Sequence, residues 1–227
     1  MLNMETHTIV NYAHDPADVN SLSSNKVFSF VELPDGNMLI GMIDGGIDLF
    51  DYSSKKFIRN YIPSVKGAFT LKEGKDNDVW IGTDGDGIYR LNADREVDRH
   101  YTAGKLPAGV VLTIFEDSRG RIWLGTYLHG LFLYDERSDS FQSIRLQTGG
   151  REIKDIYIIE ENTDGTLWIG TNENGLCLYN HDTKKLESYT YDMLSKGNQI
   201  PSNSVHTILF GSDSLVWIGT SSAGIAC

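Results

Sequence analysis

One short pattern returns along the whole chain and constrains its fold more than any other feature: an apolar residue, a tryptophan or leucine, an aliphatic residue, then glycine. The segments MLIGMIDGGIDLF from Met38, VWIGTDGDGIYRL from Val79, IWLGTYLHGLFLY from Ile122, LWIGTNENGLCLY from Leu167 and VWIGTSSAGIAC from Val216 align without gaps. Their shared glycines, Gly41, Gly82, Gly125, Gly170 and Gly219, follow one another at 41, 43, 45 and 49 residues. A period of that length suits one four-stranded sheet per repeat and is too long for a leucine-rich turn. Ten residues before each tryptophan position stand Ser29, Thr70, Thr113, Ile158 and Thr207, flanked by apolar residues such as Val27, Phe69, Val111, Ile156 and Val205.

Each repeat reads as four strands. The first alternates in character with period two, as in Val111-Leu112-Thr113-Ile114-Phe115, the pattern of a pleated sheet. Pro34-Asp35-Gly36-Asn37, Ser118-Arg119-Gly120 and Thr163-Asp164-Gly165-Thr166 then supply residues that tolerate positive φ and close a hairpin. The second strand holds the tryptophan, the third follows the next glycine, and a weaker fourth ends in Phe57, Tyr101, Phe141 or Tyr189. Helical periodicity is absent.

A single four-stranded sheet cannot cover both its faces, so such repeats stack face to face around an axis. The expected fold is therefore all-β, a β-propeller of five four-stranded blades forming one domain over 1–227. The repeats fall at about 22–59, 65–101, 108–143, 152–190 and 202–227. Trp80, Trp123, Trp168 and Trp217 would plug the spaces between blades, with Leu39 as the smaller substitute in the first. A buried tryptophan of about 150–250 Å² contributes on the order of 4–6 kcal/mol gross. The fifth repeat lacks a fourth strand, whereas residues 7–12 (His7 to Tyr12) have the composition of an orphan strand. Pairing of that N-terminal strand onto the last blade would close the ring and remove both edges; an open array that is part of a longer one is the alternative.

Composition narrows the function. A formal charge of −11 over 227 residues provides no basic stripe for phosphates, so neither nucleic acid nor an anionic membrane is an expected partner. No apolar run approaches the roughly 18 residues of a spanning helix, and the N-terminal segment shows no signal-peptide pattern. Two cysteines, Cys177 and Cys227, form no metal or redox motif. Asp84-Gly85-Asp86-Gly87 has the look of a calcium loop, yet Arg95 stands where such a loop needs its closing glutamate. His100, His129, His181 and His206 lie in different repeats without ligand spacing. No metal, cofactor or catalytic nucleophile is expected.

The segments DSRGRIWLGT from Asp117 and NTDGTLWIGT from Asn162, with the lead-ins HDPADVNSLSSNKV from His14 and IPSNSV from Ile200, resemble two-component regulator propeller repeats. These repeats are known from the sensory regions of hybrid two-component histidine kinases. The resemblance implies an extracytoplasmic, periplasmic sensor module that binds oligosaccharide breakdown products and signals through kinase segments outside this chain. Sensory regions of that family usually carry more repeats, in two larger propellers followed by an immunoglobulin-like domain. A homodimer is compatible with such a module.

In a propeller the loops between second and third strands gather at one end of the axis, so divergence among them is informative. Tyr127 could stack on a sugar ring while Asn172, Asn174, Asp84 and Asp86 hydrogen-bond its hydroxyls, with His129 beside them. The competing account is turn conformation alone for the Asn and Asp residues and plain surface exposure for Tyr127 and His129. The long connection from Thr190 to Ser204 is a second candidate surface. Two other classes stay open: a protein-interaction scaffold, and a glycan-cleaving enzyme using Asp44, Asp84, Asp86 or Glu173. Glu32, Glu73, Glu116 and Glu161 recur at one repeat position and read as blade construction.

Overall fold

The computed structural model describes residues 7–74, 76–102, 109–192, 199–212 and 215–227. It is all-β, with five antiparallel sheets in which the strands of each repeat pair in chain order, the blade topology of a β-propeller. The first sheet runs β1 (Val27–Glu32), β2 (Met38–Met42), β3 (Gly46–Asp51), β4 (Lys56–Ile58), and the second β5 (Ala68–Glu73), β6 (Val79–Thr83), β7 (Ile88–Leu91), β8 (Val97–Tyr101). The third holds β9 (Val111–Glu116), β10 (Ile122–Thr126), β11 (Leu131–Asp135) and β12 (Ser140–Ile144), followed by a small hairpin of β13 (Gln147–Thr148) and β14 (Arg151–Glu152). The fourth holds β15 (Ile156–Glu161), β16 (Leu167–Thr171), β17 (Leu176–Asn180) and β18 (Lys185–Tyr189), and the fifth β19 (Val205–Phe210), β20 (Val216–Thr220) and β21 (Ile225–Ala226).

The residues group into two compact units, one of positions up to 84 with 89–100, the other of 85–88 with 101–227. In the first, Leu39, Ile47 and Leu49 of one sheet share a buried cluster with Ala68, Leu71, Val79 and Ile81 of the next. In the second, Trp123 and Leu131 pack with Ile156, Ile159, Leu167, Ile169, Cys177 and Tyr179. Leu176, with Trp168 and Leu178 at its margin, then packs with Val205, Ile208 and Ile218. The tryptophan position thus faces the following sheet in each stack. The repeat's glycine has the same origin: a Cβ on Gly125 would lie 2.9 Å from the carbonyl oxygen of Ile156, and one on Gly170 2.8 Å from that of Val205. Each such glycine lets the next sheet's first strand pass at a distance no side chain permits.

The first hairpin of the third sheet shows why the turn residues are what they are. Asp117 N–H donates to Arg121 C=O at 3.0 Å and Gly120 N–H to Asp117 C=O at 2.8 Å, and Gly120 adopts φ 74°, where a Cβ is strained.

The fifth sheet has three strands, and Tyr12 rests edge-on against Phe50 and Phe57 of the first sheet at 5.2 and 5.4 Å. Leu22, Met42, Phe50 and Phe57 form a buried cluster, and Tyr12 packs against it. Of the connection from Thr190 to Ser204, residues 193–198 lie outside the described residues; its flanks are joined by Asn203 Oδ1 accepting from Tyr191 N–H at 2.6 Å.

Both cysteines are free, Cys177 buried and Cys227 exposed. Burial pushes the Cys177 thiol up to about 12, so it has almost no thiolate at neutral pH. Native protein is expected to react with Ellman's reagent at one thiol and unfolded protein at two; rapid modification of both under native conditions would contradict the burial.

Candidate functional site

The geometry of the site begins with a break in each ladder. In the first strand of every sheet the register skips one residue: Phe28, Phe69, Leu112, Tyr157 and His206 face no partner. A bulge of this kind leaves one side chain free to be re-aimed, and bulges concentrate beside functional sites. Phe28 and Phe69 meet edge to face at 4.8 Å in the first unit. In the second, the rings of Tyr157 and His206 stack at 4.2 Å with 16° between their planes.

The loops between second and third strands are anchored next to these bulges. Tyr127, Asn172 and Ser221 each donate their backbone N–H to the carbonyl of a residue leading into the first strand of the same sheet. The acceptors are Val110 at 2.9 Å, Asp155 at 3.1 Å and Ser204 at 3.1 Å. Side chains then link neighbouring sheets. Asp155 Oδ1 accepts from Leu128 N–H at 2.7 Å, and the Ser204 hydroxyl lies 3.1 Å from both Asn172 Oδ1 and His206 Nε2. Burial, then the charge of Asp155 and the neighbouring Tyr127, raise the Tyr157 hydroxyl above its ordinary range, so it stays a protonated donor.

Leu128 is unusual. It is exposed yet held at φ 72°, a conformation that costs a bulky residue about 1–3 kcal/mol. The second sheet places Gly85 there, at φ 90°. An apolar side chain is thus kept at the surface under strain, clamped by Asp155.

Of the residues singled out from sequence, Tyr127 and Asn172 fall in this cluster. His129 is exposed and packs so close to Gly109 that a Cβ on that glycine would come within 2.7 Å of the ring. Asn174 donates its backbone N–H to Thr171 Oγ1 at 2.9 Å, a turn contact. Asp84 and Asp86 are exposed on the loop between β6 and β7, with Asp84 in the first unit and Asp86 in the second. Divergence among the loops does not point to Asp155, Tyr157, Ser204 or His206, which lie on the first strands and their lead-ins. For Tyr157 and His206 the sequence signal is a polar group at the repeat position where the other sheets have Phe28, Phe69 and Leu112.

Two further histidines pack on aromatic rings: His100 stacks on Tyr89 at 3.8 Å, and His181 meets the Trp123 ring edge at 5.2 Å. Among the described residues no three His, Cys, Asp or Glu side chains gather as metal ligands. Two clefts lie at outer strands. One of about 430 Å³ is lined by Ile144, Arg145, Leu146, Tyr179 and Lys184; the other, about 290 Å³, surrounds Trp168 with Asn162, Asp164, Asn180 and Thr183. The site chemistry at Tyr127, Asp155, Tyr157, Asn172, Ser204 and His206 is therefore a surface of ring faces bordered by hydroxyl, amide and carboxylate groups.

Fold and repeat together define a β-propeller of four-stranded blades. Residues 105–128 match the family described as two component regulator propeller. The chain is similar over 99% of its length to the extracellular domain of BT3049 from B. thetaiotaomicron, named as a hybrid two component system, at 25% identity and TM-score 0.81. A second extracellular domain, BT4673 from the same organism, matches over 94% at 20% identity and TM-score 0.69. The chain spans 29% and 28% of those two structures. Virginiamycin B lyase from Staphylococcus aureus matches over 88% of this chain and 69% of its own, at 17% identity and TM-score 0.66, a likeness of fold alone. No curated protein matches.

Proposed function

We propose that this chain is part of the ligand-sensing region of an extracytoplasmic two-component sensor and that its ligand is an oligosaccharide. The similarity to the BT3049 extracellular domain over nearly the whole chain carries the sensor reading. It implies a periplasmic location and signalling to kinase segments outside this chain. The ligand class rests on the cluster in the second unit. Sugars present flat C–H faces and hydroxyl edges, which ring faces and polar groups satisfy together. Tyr127 supplies a stacking face, Leu128 an apolar edge, and Asp155, Asn172, Ser204 and His206 the hydrogen bonds, with His129, Asn174 and Asp86 of the same unit as further candidate contacts.

The module binds and does not catalyse. A glycosidase needs one carboxyl with a raised pKa. Asp44, one of the acids considered for that role, is held below its ordinary range by hydrogen bonds from Lys26, 2.8 Å away, and Ser24. Calorimetric titration with a panel of oligosaccharides tests the proposal. Tyr127→Ala is expected to weaken binding about tenfold, the ~1.4 kcal/mol of one stacking face. Equal affinities for variant and wild type would remove Tyr127 from the site, and the absence of heat with every oligosaccharide would remove the ligand class.

A further inference from the structure

The outer strands of the second unit are tied together in one place and open in the equivalent place one sheet on. Tyr101 closes β8, and its hydroxyl donates to Asp139 Oδ1 at 2.7 Å. The Tyr134 hydroxyl of β11 donates to the same oxygen at 2.8 Å, and Phe141 packs edge-on against Tyr101 at 5.2 Å. Two hydroxyls and one carboxylate make this knot, all of it within the second unit. The repeat puts different chemistry at the same three positions of the next pair of outer strands. Ile144 closes β12 as Tyr101 closes β8, and Tyr179 pairs with Leu186 as Tyr134 pairs with Phe141. Lys184 immediately precedes β18 as Asp139 precedes β12, both in left-handed backbone at φ 58° and 46°. One hydroxyl is lost, and a carboxylate is replaced by an ammonium.

Where the knot is missing, the cleft of about 430 Å³ opens, lined by Ile144, Arg145, Leu146, Tyr179, Lys184 and Leu186. That volume lies in the range of small-ligand pockets. Both sheets that wall it have all four strands. Tyr179 keeps its hydroxyl without a carboxylate to receive it; the contact it makes is a long one, 3.4 Å to His181 Nδ1. Burial raises that hydroxyl above its ordinary range against the opposing charge of Arg121, so it stays a donor. Lys184 Nζ lies 3.2 Å from each ring nitrogen of His181. Burial, then the charges of Lys184 and Arg121, lower the His181 pKa, so a neutral ring, not a carboxylate, faces the ammonium. Asp182 is engaged elsewhere, by Arg119 at 2.7 Å and Arg121 at 4.0 Å. Arg145 pairs loosely with Glu152 at 3.6 Å, its side chain 71% exposed.

We propose that this cleft binds a small carboxylate with an apolar body, the carboxylate taking the place that Asp139 holds one sheet earlier. It accepts from the Tyr179 hydroxyl and pairs with Lys184, with Arg145 beside it, and such charge-assisted bonds are the strong ones. Ile144, Leu146 and Leu186 cover the body of the ligand. The site shares no residue with the cluster at Tyr127 and does not depend on an oligosaccharide binding there.

Calorimetric titration with phenylacetate tests this, with phenylacetamide as its neutral counterpart and glucuronate as an acid of polar body. Phenylacetate is expected to bind about tenfold more tightly than phenylacetamide, and more tightly than glucuronate. Lys184 is exposed, so Lys184→Met leaves the core intact, and it is expected to cost about tenfold in phenylacetate affinity. Tyr179→Phe is expected to cost about fivefold. Lys185→Met, which removes an ammonium paired with Glu187 at 2.5 Å, is expected to leave affinity unchanged. No heat with phenylacetate overturns the proposal, as does equal affinity for acid and amide, which would make the cleft merely apolar. Unchanged binding by Lys184→Met would place the acid elsewhere, and tighter binding of glucuronate would replace the apolar acid with an acidic sugar; either result overturns it too.

Discussion

Trp123→Ala is expected to lower stability by about 3–5 kcal/mol, the range for large aromatic truncations in cores. The indole has no exposed surface and sits among Ile156, Ile159, Leu167 and Ile169 of the following sheet, so its removal opens a cavity walled by rigid strands that cannot collapse inward. It also removes the Nε1–H that donates to Asp117 Oδ2 at 2.8 Å, leaving a buried carboxylate with one donor fewer, which places the expected cost in the upper half of that range. Trp217→Ala provides the internal contrast. That ring occupies the same repeat position but is 40% exposed, and about 1 kcal/mol or less is expected. Urea denaturation followed by circular dichroism measures both. Equal midpoints for Trp123→Ala and wild type would mean that the tryptophans do not hold the sheets together.

That contrast bears on how much of this protein could be read from its sequence. Strand order, turns and the sheet-to-sheet role of Trp123 come from a local repeat, because each repeat carries its own alternation, its own turn glycine and its own plug. Properties set by position within the array cannot be read from any one repeat. Trp217 has the same neighbours in sequence as Trp80, Val-Trp-Ile-Gly-Thr in both, yet one is covered and the other is not. Residues 7–12 have strand composition, but composition does not specify that Tyr12 packs edge-on against Phe50 and Phe57.

The candidate site divides along the same line. Tyr127 and Asn172 are legible because their loops differ where the repeat predicts sameness. Asp155 is not, since its place in the cluster depends on a hydrogen bond to Leu128 across a sheet boundary. Tyr157 and His206 were hidden by the bulge. An alternating pattern predicts that Tyr157 and Ile159 share a face, and the register shift between Ile156 and Ile158 breaks that rule at the residue that matters.

Asp117→Asn is expected to lower stability by about 3–5 kcal/mol at neutral pH, the cost of breaking a buried charged pair from one side, and the deficit should shrink on acidification. The Asp117 side chain has no exposed surface. It accepts from Arg121 Nε at 2.6 Å, Trp123 Nε1 at 2.8 Å, and the backbone N–H groups of Arg121 and Arg119 at 2.9 and 3.0 Å. Burial on its own would raise this carboxyl, but the hydrogen bonds from Trp123 and Arg121, with the guanidinium charge, outweigh it and hold the group below its ordinary range. A folded-state value below the unfolded one means that unfolding takes up a proton in the acid window. The stabilisation is therefore complete above the ordinary aspartate range, about pH 4, and is lost as pH falls through that range towards the folded value. Asparagine cannot titrate, and its amide N–H₂ would point at groups that also only donate. Urea midpoints of the two proteins should thus approach each other between about pH 7 and pH 3, the other carboxylates being common to both. A gap that stays constant across that interval would show that shape, not charge, is what Asp117 contributes. The fourth sheet shows that the arrangement is dispensable at the level of fold. Asn162 stands where Asp117 does and Thr166 where Arg121 does, Trp168 Nε1 is buried without a partner, and the sheet forms all the same. The carboxylate therefore adds stability to one tryptophan site and is not a condition for building a blade.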